Sequence, residues 1–158
     1  MIVSMDDGEG KDVERPAPGL AKAAIVAPPL AGRTIGDSDG SFAIAEWKDA
    51  GGPPGPPRFI APLHVHHHED EAWYVLEGTV RFQLGSQEVE APAGAAVVGL
   101  RGVPHTFWNP GPGPARYLVV MAPDTLRLIE ELHTVSDRSF ERMQALFRKH
   151  GAELLTSP

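Results

Sequence analysis

The sequence predicts an all-β sandwich or barrel followed by C-terminal α-helices. Three observations predict it. Short apolar stretches recur between residues 42 and 121, each closed by a Gly/Pro turn, the pattern of sandwiches and barrels. One stretch alternates strictly, with Val80, Phe82 and Leu84 on one face and Thr79, Arg81 and Gln83 on the other, as a half-buried strand requires. After Asp124 the apolar spacing becomes helical.

Taken in order, residues 1–19 are polar and acidic and end in Arg15-Pro16-Ala17-Pro18-Gly19. They read as a flexible N-terminal arm, too short for a helix-turn-helix domain. Residues 23–27 suit an edge strand that Pro28-Pro29 stops. Residues 34–39 are turn-like, and residues 42–47 read as a strand. Residues 50–57 are all breakers and must form a loop. That loop lies within one domain, because the residues before it carry too little apolar surface for a core of their own. Residues 58–65 form the next strand. Polar residues 67–70 make a short loop, and the chain returns through Glu71, Trp73 and Val75 to Glu77-Gly78, which reads as a hairpin. Further strands are expected over residues 79–84, 87–91, 95–100, 105–109 and 116–121. The barrel thus spans residues 20–123, and residues 124–158 pack on it as a helical segment. Asp124 or Thr125 caps a helix carrying Leu126, Ile129 and Leu132. Ser136 caps a second with Phe140, Met143, Leu146 and Phe147 on one face, and Gly151 stops it. These helices cover the barrel or a partner; a lid over the site is the lesser alternative.

Composition narrows the function. A chain of 158 residues suits one domain. The net charge of -7, from 21 acids against 14 bases, argues against nucleic acid or an anionic membrane, which attract a basic footprint. There is no cysteine, hence no disulfide and no thiolate-held metal. No apolar run reaches the roughly 18 residues of a membrane span, and the acidic start is unlike a secretory signal. The chain therefore reads as cytoplasmic, with a small molecule as its partner.

The stretch Pro62-Leu63-His64-Val65-His66-His67-His68-Glu69-Asp70-Glu71 holds four of the seven histidines. On a strand, His64 and His66 point to the same face. Glu71 on the returning strand brings a carboxylate toward them. Two imidazoles and a carboxylate make a metal site with open positions. The stretch alone also fits a solvated His-rich loop.

A second segment decides between them. The cupin superfamily carries a first motif G-x5-H-x-H-x3-4-E-x6-G. This chain resembles it in His64-x-His66-x4-Glu71-x6-Gly78, with Arg58 where the opening glycine belongs. The second motif, G-x5-P-x-G-x2-H-x3-N, is matched by Gly94-x5-Leu100-x-Gly102-x2-His105-x3-Asn109, with Leu100 replacing the proline. Both departures fall on turn positions and not on ligands. The resemblance covers roughly residues 40–122. It implies a double-stranded β-helix (jelly-roll barrel) with His64, His66, Glu71 and His105 as ligands of one divalent transition metal: Fe, Mn, Ni, Zn or Cu. His67 and His68 fall in the loop or beside the ligands. His133 and His150 are expected to be exposed helical residues. Trp73, Phe107, Trp47 and Phe59 are candidates for a substrate pocket, although core packing explains the first two equally well.

Residues 69–78 and 103–109 further resemble quercetin-dioxygenase-like members. That likeness implies a metal-dependent dioxygenase of a small enolic or aromatic substrate, flavonol-like or diketone-like, with Glu71 as catalytic base. The alternatives are a non-catalytic ligand-binding cupin and a sugar or keto-acid isomerase or lyase. Cupins often pair, so a homodimer is expected.

Overall fold

The computed structural model describes residues 30, 32–36 and 39–156. The expected arm over residues 1–19 and edge strand over residues 23–27 lie outside the described residues. The described chain runs β1 (Thr34–Ile35), β2 (Ala43–Asp49), β3 (Phe59–His66), β4 (Glu71–Glu77), β5 (Thr79–Leu84), β6 (Gln87–Pro92), β7 (Ala96–Gly99), β8 (His105–Trp108), β9 (Ala115–Met121), α1 (Pro123–Thr134), α2 (Phe140–Lys149) and β10 (Ala152–Leu154). Two five-stranded antiparallel sheets face each other, ordered β1-β2-β9-β4-β7 and β10-β3-β8-β5-β6. No helix among the described residues is long and apolar enough to cross a membrane.

Alternation along the strands builds the interior. Trp73 and Val75 of β4, Val80 and Phe82 of β5, Phe107 of β8, and Tyr117, Val119 and Met121 of β9 are each 4% exposed or less. They form one cluster between the sheets, and each such side chain contributes roughly 1.5–3 kcal/mol. A separate cluster joins Leu128 and Leu132 of α1, Met143, Leu146 and Phe147 of α2, and Ala152 and Leu154 of β10.

Several expectations need correction. β3 and β4 are not a hairpin: β3 pairs with β8 and β10, while β4 pairs with β7 and β9. The loop over residues 67–70 crosses between sheets, a choice that periodicity alone does not encode. Residues 34–35, read as turn, form β1 against β2. The N-cap of α1 is Ala122, with no side-chain cap, and Pro123 starts the helix; its fixed φ suits that position. α2 is capped by Ser139, not Ser136. Asp137 accepts a hydrogen bond from the Ser139 amide at 2.9 Å, and this local turn delays the helix. Phe140 is 40% exposed, since the packed stripe starts one turn later at Met143. His150 is buried at 9% exposure, not solvent-facing, and hydrogen-bonds Glu131 Oε2 at 2.9 Å. β10, which has no counterpart in the sequence reading, pairs with the end of β3 that carries His64 and His66.

Gly78 makes the tight turn from β4 to β5 with φ of 72°. A Cβ there would lie 2.4 Å from the Pro114 carbonyl oxygen, so backbone would have to move. Gly78→Ala is expected to destabilise the fold by at least about 1–3 kcal/mol. A thermal melt checks it, and an unchanged midpoint contradicts it.

Candidate metal centre

Pairing of β3 with β8 sets His64 directly opposite His105. His66, two residues on, shares the inward face of His64. Glu71 enters from the opposite sheet at the start of β4, paired to Gly99 of β7. The structure thus brings His64, His66, Glu71 and His105 together, with one ligand atom from each lying within 4.8 Å of the others. All four are buried, at 1–6% exposure. The imidazole centroids are 4.4 Å apart for His64 and His105 and 4.9 Å for His64 and His66.

The outward ring nitrogens identify the tautomers. His64 Nδ1 donates to the Pro62 carbonyl at 2.7 Å, and His105 Nδ1 donates to the Val103 carbonyl at 3.0 Å. A carbonyl only accepts, so each Nδ1 carries the proton and each neutral ring turns a bare Nε2 inward. Inside, His64 Nε2 faces His66 Nε2 at 3.2 Å. Glu71 Oε2 lies 3.3 Å from His105 Nε2 and 3.6 Å from His66 Nε2. Four lone-pair atoms converging in a buried space call for a cation between them. Three imidazole nitrogens and one carboxylate oxygen fit a divalent transition metal. His64, His66, Glu71 and His105 are the residues that would hold it.

The electrostatics agree. Burial, followed by repulsion from His105 and His66, lowers the His64 pKa to about 3, so the ring stays neutral and able to ligate. Burial pushes Glu71 up, but the adjoining imidazoles of His105 and His66 outweigh it and hold the carboxyl below its ordinary range. Two ties fix the surrounding loops. Asp70 Oδ1 accepts from the Arg101 backbone amide at 2.9 Å and from its Nε at 3.1 Å. The Gly102 amide donates to the His66 carbonyl at 2.7 Å. The turn before β8 is thereby clamped to the crossing that delivers Glu71.

Trp73 lies beside the centre, its ring 5.6 Å from His105. Its indole edge approaches Gly99, where a Cβ would sit 3.1 Å from the ring; glycine leaves that space open. Among the described residues, Trp73 Nε1 is the buried side-chain polar atom without a hydrogen-bond partner. Phe107 packs against Trp73 at 5.4 Å. Trp47 is partly buried against the core cluster. Phe59, at the far end of β3 from the ligands, is 43% exposed and meets Trp108 edge-on. His67 and His68 are exposed and outside the cluster; His67 Nε2 faces Glu153 at 3.6 Å. His133 is exposed on α1.

Sequence reasoning missed the C-terminal side of the site. The Phe147 ring lies 5.5 Å from His64. Ala152 and Leu154 of β10 pair with His66 and His64. Thr125 Oγ1 lies 3.5 Å from His66 Nδ1. None of these residues belongs to a ligand-type motif; the late Phe147 in an amphipathic stripe was the one available signal.

Residues 55–121 match the family described as Cupin domain. This segment resembles a cupin domain. Among solved structures, the chain is similar to an uncharacterized protein with a double-stranded β-helix domain from Klebsiella pneumoniae subsp. pneumoniae MGH 78578. Identity is 24%, the match covers 62% of this chain and 83% of that one, and the TM-score is 0.46. A protein of Thermus thermophilus is 30% identical over 52% of this chain and 73% of that one, with a TM-score of 0.44. A protein of Silicibacter pomeroyi DSS-3 titled a sugar phosphate isomerase from a cupin superfamily is 24% identical, over 52% of this chain, with a TM-score of 0.45. The chain spans 51% of that protein's length and 50% of the length of a matched Acidithiobacillus ferrooxidans ATCC 23270 protein. No curated protein matches. The matched segment ends at the last residue of β9, so α1, α2 and β10 lie beyond it.

Proposed function

We propose that this cupin is a metal-dependent dioxygenase of a small enolic or aromatic substrate. The observation that carries the reading is the convergence of three inward Nε2 atoms and the Glu71 carboxylate in one buried site. A redox-capable divalent metal held there would polarise an enolate oxygen and serve reaction with dioxygen at its remaining positions. The chain's own residues supply the setting. Trp73 and Phe147 place aromatic surface beside the ligands, which suits an apolar or aromatic substrate and keeps bulk water out. Glu71 is the proton acceptor in reach of a substrate hydroxyl. The adjoining imidazoles of His105 and His66 hold its pKa low and make it a weak base. It gains basicity only when substrate displaces it from those partners.

A second reading rests on the burial of all four ligands: a non-catalytic cupin whose metal anchors a ligand or the fold. Elemental analysis of protein purified without a His-tag column identifies the native metal. Oxygen uptake with that metal is then measured with a flavonol and with a 1,3-diketone. Stoichiometric consumption supports the dioxygenase. Saturable ligand binding without uptake supports the binding module, and anaerobic turnover of a sugar or keto acid supports an isomerase or lyase.

A further inference from the structure

The three histidines are not oriented in the same way. His64 and His105 each lean on a carbonyl two residues upstream in their own strand or its lead-in. Among the described residues, His66 has no such carbonyl contact; its Nδ1 faces Thr125 Oγ1 at 3.5 Å, long for a hydrogen bond. Thr125 belongs to the first turn of α1, outside the matched segment, and is 4% exposed. Its hydroxyl donates to Glu69 Oε2 at 3.1 Å. A hydroxyl has one proton, and Glu69 takes it. The lone pairs of Thr125 Oγ1 are thus left for an Nδ1–H of His66. That proton position leaves His66 Nε2 bare and facing the other ligand atoms.

We propose that Thr125, backed by Glu69, is a positioning residue of the metal centre, selecting the ligating tautomer of His66. The C-terminal segment thereby becomes part of the metal site. Its docking onto the ligand strand supports this: β10 pairs with β3 across His64 and His66, the His67 amide donates to the Gly151 carbonyl at 3.0 Å, and the Leu155 amide donates to the Leu63 carbonyl at 2.9 Å. Lys149 and His150 of the α2 end meet Glu131 of α1 at 2.7 and 2.9 Å, so the strand, α2 and α1 hold Thr125 in place as one unit. Hydrogen-bond partners of metal-ligating histidines typically carry about 10–100-fold in affinity.

The inference rests on the metal-site reading, and one titration separates the two. Cobalt(II) is titrated into full-length metal-free protein, wild type and the variants Thr125→Val, Thr125→Ser and Glu69→Ala. Affinity is taken from chelator competition and geometry from the visible ligand-field bands. Valine matches threonine in shape and lacks the hydroxyl; removing Glu69 frees that hydroxyl to point its proton at His66. Thr125→Val and Glu69→Ala are expected to bind about 10-fold or more weakly with altered bands, and Thr125→Ser to keep wild-type affinity and bands. Should Thr125→Val fail to fold, Glu69→Ala carries the test alone. Wild type that binds no cobalt overturns the metal site itself. Wild type that binds while both altered variants match it overturns the role of Thr125 alone. Equal weakening in the serine and valine variants also overturns it, because packing and not the hydroxyl would then be responsible.

Discussion

His105→Ala is expected to abolish stable metal binding, lowering affinity by well over about 100-fold, more than the loss of a ligand's hydrogen-bond partner costs. His105 lies 34 residues beyond Glu71, and only the fold brings their polar atoms to 3.3 Å. Alanine removes an inward nitrogen and leaves three donors of the four. It also opens a cavity beside Trp73, whose ring lies 5.6 Å away. His64→Ala and His66→Ala are expected to act in the same direction. His67→Ala and His68→Ala serve as controls, since both side chains are exposed and outside the cluster. Metal content per chain, measured on folded protein, checks the pattern. Wild-type metal content in folded His105→Ala protein contradicts the site. A loop that binds metal adventitiously gives the opposite pattern, with His67 and His68 mattering and His105 silent.

Of the candidate ligands, His64 and His66 were legible as a period-2 pair and Glu71 as a carboxylate on the returning strand, while His105 was legible only through the resemblance to the second cupin motif. His64 and His66 share a face on any strand, and the turn at Gly78 sets where β4 ends. The route by which Glu71 reaches them was not legible. A four-residue polar loop serves equally for a hairpin and for a crossing between sheets. Choosing between them requires the partners of β4, namely β7 and β9, which are long-range pairings. The C-terminal boundaries failed for a local reason. Ser136, Asp137 and Ser139 all carry capping side chains, and the bond from the Ser139 amide to Asp137 selects the last of them. β10 is three residues long, too short for alternation to register. Asp124 or Thr125 is the cap that the sequence predicts, because an aspartate or threonine at a helix start usually serves that end. In the structure the Thr125 hydroxyl instead turns to Glu69 and His66, and such a tertiary use leaves no trace in spacing.

The metal-free protein is expected to lose stability steeply as pH falls from about neutrality toward about 4. In the unfolded chain a histidine takes its proton near 6.5, whereas buried His64 does so only near 3. Between those values the unfolded state binds more protons than the folded one, so stability falls as pH falls. Each unit of separation is worth about 1.4 kcal/mol, and the whole amounts to a few kcal/mol. Glu71 adds to this with the same sign. Its folded pKa lies below the ordinary 4.5, so its contribution is present above 4.5 and is lost below it. Bound metal opposes unfolding by mass action, and protons competing for the ligands remove that protection over the same acid range. Thermal melts of chelator-stripped and metal-loaded protein from about pH 8 to about pH 4 measure both effects. The stripped protein is expected to melt progressively lower, and the gap between the two preparations to narrow with acid. In His64→Gln, which cannot titrate at that position, the slope above about pH 4.5 is expected to shrink. A stripped protein whose melting point is flat between about pH 7 and about pH 4 would show that His64 is not held neutral by burial.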